Sequence, residues 1–146
     1  MTEPRSVRFE PATLTKLSTF AARHPGLSSA GTVSLLVEEG LRMDEHPGII
    51  FRDGPTGRRA VVAGGPDVWE VARTLRDTRA AEPRLKPTKI IELISQNNGL
   101  SESHVRVAVN YYGTYQTEID QQVTAADEAE TQFELSLGRM RELLGS

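Results

Sequence analysis

Little in this chain of 146 residues is equipped for covalent chemistry. It holds three histidines and no cysteine. His24 and His46 each precede Pro-Gly at the end of a helical pattern, where a histidine more often meets the last carbonyls and the negative end of the helix dipole than a metal ion. His104 lies on a later helical stretch. No His-x-x-x-His or Glu-x-x-His spacing, no nucleophile elbow and no lysine-bearing phosphate loop occurs. No catalytic residue, metal ligand or cofactor site is therefore assigned, and the chain is not expected to be an enzyme.

Other residues suit recognition of an anionic partner. In Ser6-Val7-Arg8-Phe9-Glu10 polar and apolar side chains alternate, so a strand there places Val7 and Phe9 on one face and Ser6, Arg8 and Glu10 on the other. A two-stranded ribbon fits the DNA major groove, where Arg8 could hold a guanine edge and Glu10 could accept only from a cytosine amino group. Ser28 and Ser29 open a helical pattern whose first backbone amides could meet a phosphate, as every helix N-terminus can. Arg58 and Arg59 stand in a turn-rich interval, where they could track a phosphate backbone, stand as solvated tips, or pair with Asp53 and Asp67. Ser103, Arg106 and Asn110 face away from an apolar helix side and could reach bases or a protein surface. The other reading of the first segment is a monomer's edge strand with its polar face in water.

The elements that must position these residues follow from periodicity. Pro11 suits the first position of a helix, Leu14, Leu17, Phe20 and Ala21 recur at helical spacing, and His24-Pro25-Gly26 stops the run. A second helix carries Val33, Leu36, Val37, Gly40 and Leu41 and ends at His46-Pro47-Gly48. Ile49-Ile50-Phe51 and Ala60-Val61-Val62-Ala63 flank the turn-rich interval and predict a β-hairpin. Val68, Val71, Ala72 and Leu75 form a third helical stripe beside Trp69. Arg76 to Pro87, with two prolines and many charges, is expected to be a flexible connection. A helix from Thr88 breaks at Asn97-Asn98-Gly99, and Ser101 caps a helix bearing Val105, Ala108, Val109 and Tyr112, a pattern that fits a helix-turn-helix. Finally, Ile119, Val123, Ala126, Glu130, Phe133, Leu137, Met140 and Leu144 step by fours and threes as a heptad seam. Phe133, Leu137, Met140 and Leu144 are its expected partner-binding residues.

Charge is unevenly spread. Residues 1–46 balance to -1, residues 47–100 to +3 and residues 101–146 to -5, so a basic middle and an acidic end could serve different partners. The absence of cysteine, of an apolar run of about 18 residues and of a signal-peptide core points to a cytoplasmic protein.

Two resemblances emerge from these residues. Ser6-Val7-Arg8-Phe9-Glu10 with Leu36-Val37-Glu38-Glu39-Gly40-Leu41-Arg42 resembles the CopG-like ribbon-helix-helix group. His46-Pro47-Gly48-Ile49-Ile50-Phe51-Arg52, Gly57-Arg58-Arg59-Ala60, Val68-Trp69-Glu70-Val71, Gly99-Leu100-Ser101 and Ala108-Val109-Asn110-Tyr111-Tyr112 resemble the helix-turn-helix-like domain of VapB-type antitoxins. The resemblance implies a DNA-binding antitoxin that blocks a PIN-like ribonuclease and represses its own operon. The tail beyond Val123 lies outside both patterns, and its toxin-binding role rests on amphipathicity and net acidity.

The expected fold is mainly α with short β elements. It comprises a ribbon-helix-helix dimerisation and DNA-binding part (1–45), a hairpin with a winged or helix-turn-helix-like module (46–122) and an amphipathic C-terminal helix (123–146). The expected partners are operator DNA, a second copy of the chain and a PIN-like toxin, with no membrane. Two alternatives stand beside this: a DNA-binding regulator or partition protein without a toxin, and an oligomerisation module that never touches DNA.

Overall fold

A computed structural model describes residues 2–145. Among them the order is α1 (Pro11–Ala22), α2 (Ser29–Glu45), β1 (Ile49–Gly54), β2 (Gly57–Val62), α3 (Val68–Ala81), α4 (Pro87–Asn98), α5 (Glu102–Thr114) and α6 (Gln116–Leu144). The protein is mainly helical, with one small antiparallel sheet. It divides into two compact units, Met1–Asp44 and Glu45–Ser146.

The first unit is two helices without an apolar core. Pro11 occupies the first turn of α1, where its missing N–H costs no hydrogen bond. At the helix end His24 stacks on Phe20 with ring centroids 4.0 Å apart, and its Nδ1 lies 2.7 Å from the Phe20 carbonyl oxygen. A carbonyl only accepts, so Nδ1 carries the proton. Ser28 caps α2, its Oγ accepting from the Gly31 N–H at 2.9 Å. A Cβ on residue 31 would sit 3.1 Å from that same Oγ, which explains a glycine in the first turn of a helix. No strand forms at residues 6–10 in the single chain. A strand must pair its N–H and C=O groups, and a two-stranded ribbon needs a second segment.

The second unit holds the core. In the hairpin Ile49 pairs with Val62 and Phe51 with Ala60, placing Ile49, Ala60 and Val62 on the buried side. The strands run further than the apolar runs suggest, through Asp53 opposite Arg58, and turn at Pro55-Thr56. Val68, Val71 and Ala72 of α3, Ile94 of α4, Val105, Ala108 and Tyr111 of α5, and Ile119 and Val123 of α6 close over this face. Each large aliphatic so buried contributes about 1.5–3 kcal/mol relative to exposure. Tyr111 is fully buried and Tyr112 half-buried, so α5 is turned slightly from the Val109–Tyr112 face that its apolar spacing predicts.

Two expectations are corrected. The interval from Arg76 to Pro87 is not a flexible connection throughout, because α3 continues to Ala81 and leaves residues 82–86 as the link. Arg76 pins that part of α3, its Nη2 lying 3.2 Å from Asp127 Oδ2 on α6. Nor does the tail helix begin at 123. It starts at Gln116, and Ile119 and Val123 belong to the core.

Candidate functional site

The residues proposed from sequence to meet DNA fall into groups that the two units hold separately. In the first unit Ser6, Arg8 and Glu10 are exposed along a segment without regular secondary structure that leads into α1. Val7 is 61% exposed and Phe9 more than a third, so the alternation is not used to bury the apolar side within one chain. Phe9, Leu14, Leu17, Ala21 and Val33 instead line an open cleft of about 530 Å³. Ser28 and Ser29 stand at the start of α2, where the Ser28 side chain is engaged with its own helix.

In the second unit the arginines of the hairpin are already matched by carboxylates. Arg58 Nη1 lies 3.3 Å from Asp53 Oδ1 across the strand pair. Arg59 Nε lies 2.9 Å from Asp67 Oδ2, a close ion pair in which the N–H is not aligned as a hydrogen bond. Its guanidinium packs over Gly54, where any Cβ would collide with it. Both side chains are about one-fifth exposed. Of the sequence readings for this pair, phosphate tracking, solvated tips and pairing with Asp53 and Asp67, the geometry realises the last.

Asp67 was missed as a site of convergence. It precedes α3, is buried, and besides Arg59 it receives Arg52 Nη2 at 3.4 Å and the Trp69 indole N–H at 2.9 Å. Glu70 completes the arrangement by accepting from the Asp67 backbone N–H at 3.0 Å. Aspartate followed three positions later by glutamate ahead of an apolar stripe is a helix-start signature that the sequence did contain.

Ser103, Arg106 and Asn110 form an exposed row at i, i+3, i+7 on α5. The sequence positions that row well. Pro87 opens α4, Gly99 ends it at φ +64°, and Ser101 Oγ accepts from the His104 N–H at 3.2 Å to start α5. The Ser95 hydroxyl donates to the Leu100 carbonyl and ties the turn to α4. A serine, an arginine and an asparagine along one helix face offer the donors and acceptors that read purine edges. Tyr112 lies nearby on the helix. Burial, with its hydrogen bond to Asp120 at 2.6 Å, pushes its phenol up to about 12.

The last group is on α6. Phe133, Met140 and Leu144 are exposed and Leu137 is half-buried. The heptad seam is thus divided, with Ile119 and Val123 inside the unit and the second half bare. Glu130, its one polar position, accepts from Arg73 Nη1 at 2.9 Å, and Arg73 also lies over the Trp69 ring.

No protein-family model, curated protein or solved structure matches this chain. The likeness to ribbon-helix-helix and VapB-type proteins therefore rests on the short motifs quoted above. Among the described residues no helix is long and apolar enough to cross a membrane, and no cluster of three histidine or carboxylate side chains is placed to hold a metal ion.

Proposed function

We propose that the protein is a DNA-binding repressor that acts as a homodimer, and that it is the antitoxin of a pair whose toxin is a PIN-like ribonuclease. One observation carries the dimer. Among residues 2–44 no apolar side chain is buried, although Val7, Leu14, Val37 and Leu41 are all about half exposed or more. Leaving such a face in water forgoes about 25 cal/mol for every Å² that a second copy would cover. Two copies that pair residues 6–10 satisfy the backbone of both segments, cover Phe9 and the cleft beneath it, and turn Ser6, Arg8 and Glu10 outward as a ribbon for the major groove. The exposed row Ser103, Arg106 and Asn110 adds contacts from α5, and the bare half of α6 is the arm for a protein partner.

A second reading draws support from the hairpin. Arg58 and Arg59 are neutralised by the chain's own carboxylates and the whole chain carries a net charge of -3, both of which suit an oligomerisation module that never meets DNA. Mobility-shift titrations on the DNA upstream of the gene separate the two. The repressor reading expects binding that weakens steeply between 50 and 200 mM salt, as counterion release requires, and that falls on the order of tenfold for Arg8→Ala. Binding indifferent to salt, or equal for parent and Arg8→Ala, would overturn groove reading by this segment. Co-purification of a neighbouring gene's nuclease that is lost when residues 131–146 are removed tests the antitoxin part.

A further inference from the structure

Beyond Glu130 no described residue of α6 is buried. Phe133 is 65% and Leu144 74% exposed, and with Leu137 and Met140 they step by four, three and four, the spacing of seam positions in a two-stranded coiled coil. We propose that residues 133–144 pair with the same stretch of a second copy of this chain, with the two helices antiparallel. The inference does not rest on DNA binding; it uses a surface separate from the amino-terminal one and gives to a second copy the stripe that the antitoxin reading gives to a toxin, two occupants that the experiment below separates.

Charge chooses both the occupant and the direction. An antiparallel register that sets Leu137 against the partner's Met140 also sets Phe133 against the partner's Leu144, and twofold symmetry repeats both layers. Glu134 and Arg141 then occupy equivalent flanking positions, one residue after Phe133 and Met140 respectively. In this register Glu134 of each helix lies beside Arg141 of the other, so the pair is made twice. Leu143, 88% exposed, lies on the opposite flank over the partner's Ser136 and adds apolar cover. Leu135 stays outside the pairing. A parallel pair would instead place Glu134 across from Ala129 and Arg141 across from Ser136, which matches neither charge. At the inner end the next seam position is Glu130, held by Arg73, so the contact comprises four layers and stops there.

Such a contact is short, so it adds to other self-association rather than replacing it. Sedimentation of the full chain at low ionic strength gives the test, since exposed pairs are screened by salt. Arg141→Glu sets like charges side by side at both sites and is expected to weaken the association by about tenfold. The double variant Glu134→Arg with Arg141→Glu restores it, as does an equimolar mixture of the two single variants. Because the chain has no cysteine, direction can be read by disulfide trapping under a mild thiol oxidant. A mixture of Leu137→Cys and Met140→Cys chains should link in preference to either chain alone. Preferential linking of Leu137→Cys with itself overturns the antiparallel register. Association unchanged by Arg141→Glu, with no linking in any mixture, overturns self-pairing and leaves the stripe to a different protein.

Discussion

Asp67 is 3% exposed, and three groups from three positions converge on its carboxylate: Arg59 as an ion pair, and Arg52 and the Trp69 indole N–H as donors. A carboxylate out of water must be satisfied in this way, because the desolvation cost of an unpaired charge exceeds what packing returns. Removing it leaves Arg59, only one-fifth exposed, beside an empty site, and strips the start of α3 of its side-chain acceptor. Asp67→Ala should therefore destabilise the second unit by about 3 kcal/mol, read as a lower midpoint in urea, with Asp67→Asn losing less because it can still accept from Trp69. A loss under about 0.5 kcal/mol would mean the arginines find water at no cost. Tyr112 makes a pH prediction at the same scale. Its phenol is raised from 10 to about 12, so the neutral form is favoured by folding. The stability it contributes is fully present below pH 10 and is lost as pH rises through 12. Site-resolved NMR of the ring should show Tyr112 ionising near 12, and Asp120→Asn should bring that midpoint down. A midpoint of 10 in the parent would refute the assigned environment.

Between α4 and α5 the chain turns in three residues, and the turn depends on Gly99 at φ +64°, a conformation that carries strain for any residue with a Cβ. Open space surrounds that position, so the cost of a side chain is one of backbone alone. Gly99→Ala should cost about 1 kcal/mol in a denaturation midpoint and Gly99→Asn less, since asparagine tolerates the left-handed region best. Equal stability of parent and Gly99→Ala would show that α4 can end another way. The link between α3 and α6 works differently. Glu130 would be an error in an apolar seam, but it sits where α6 passes Arg73, whose guanidinium is raised further above its ordinary value, first by the hydrogen bond to Glu130. Glu130 thus marks where the seam of α6 leaves the core and meets Arg73.

At the scale of the whole molecule the two units differ in how their apolar surface is covered. The described residues of 45–146 enclose thirteen apolar side chains in a single cluster, whereas those of 1–44 bury no apolar side chain. If the proposed amino-terminal dimer forms, hydrogen exchange on the full chain should show the amides of α3 and α5 protected to the same degree at any concentration, with protection in α1 and α2 rising over about a hundredfold increase in protein as a second copy covers their exposed face. Concentration-independent protection throughout would sink the amino-terminal dimer. Much of this architecture was legible beforehand. Pro11, Gly99 and Ser101 mark helix ends through local backbone geometry and bonds to near neighbours, and apolar spacing locates every helix and the hairpin though not all of their limits, Pro87 among them, since periodicity is a local property. The ribbon at residues 6–10, the motif likeness and the DNA contacts rest on chemistry that a single chain does not display. What the residues could not announce is which charges find each other. Arg73 meets Glu130 across 57 positions, Arg76 meets Asp127 across 51, and Arg52 meets Asp67 across 15. Sequence by itself determined which stretches are helical and marked several of their ends, because capping and amphipathic spacing act within one or two turns. Only the tertiary structure decided that the hairpin arginines are neutralised, that α3 outruns its expected end and that the tail's seam is buried in one half and bare in the other, because each depends on distant segments arriving at the same place.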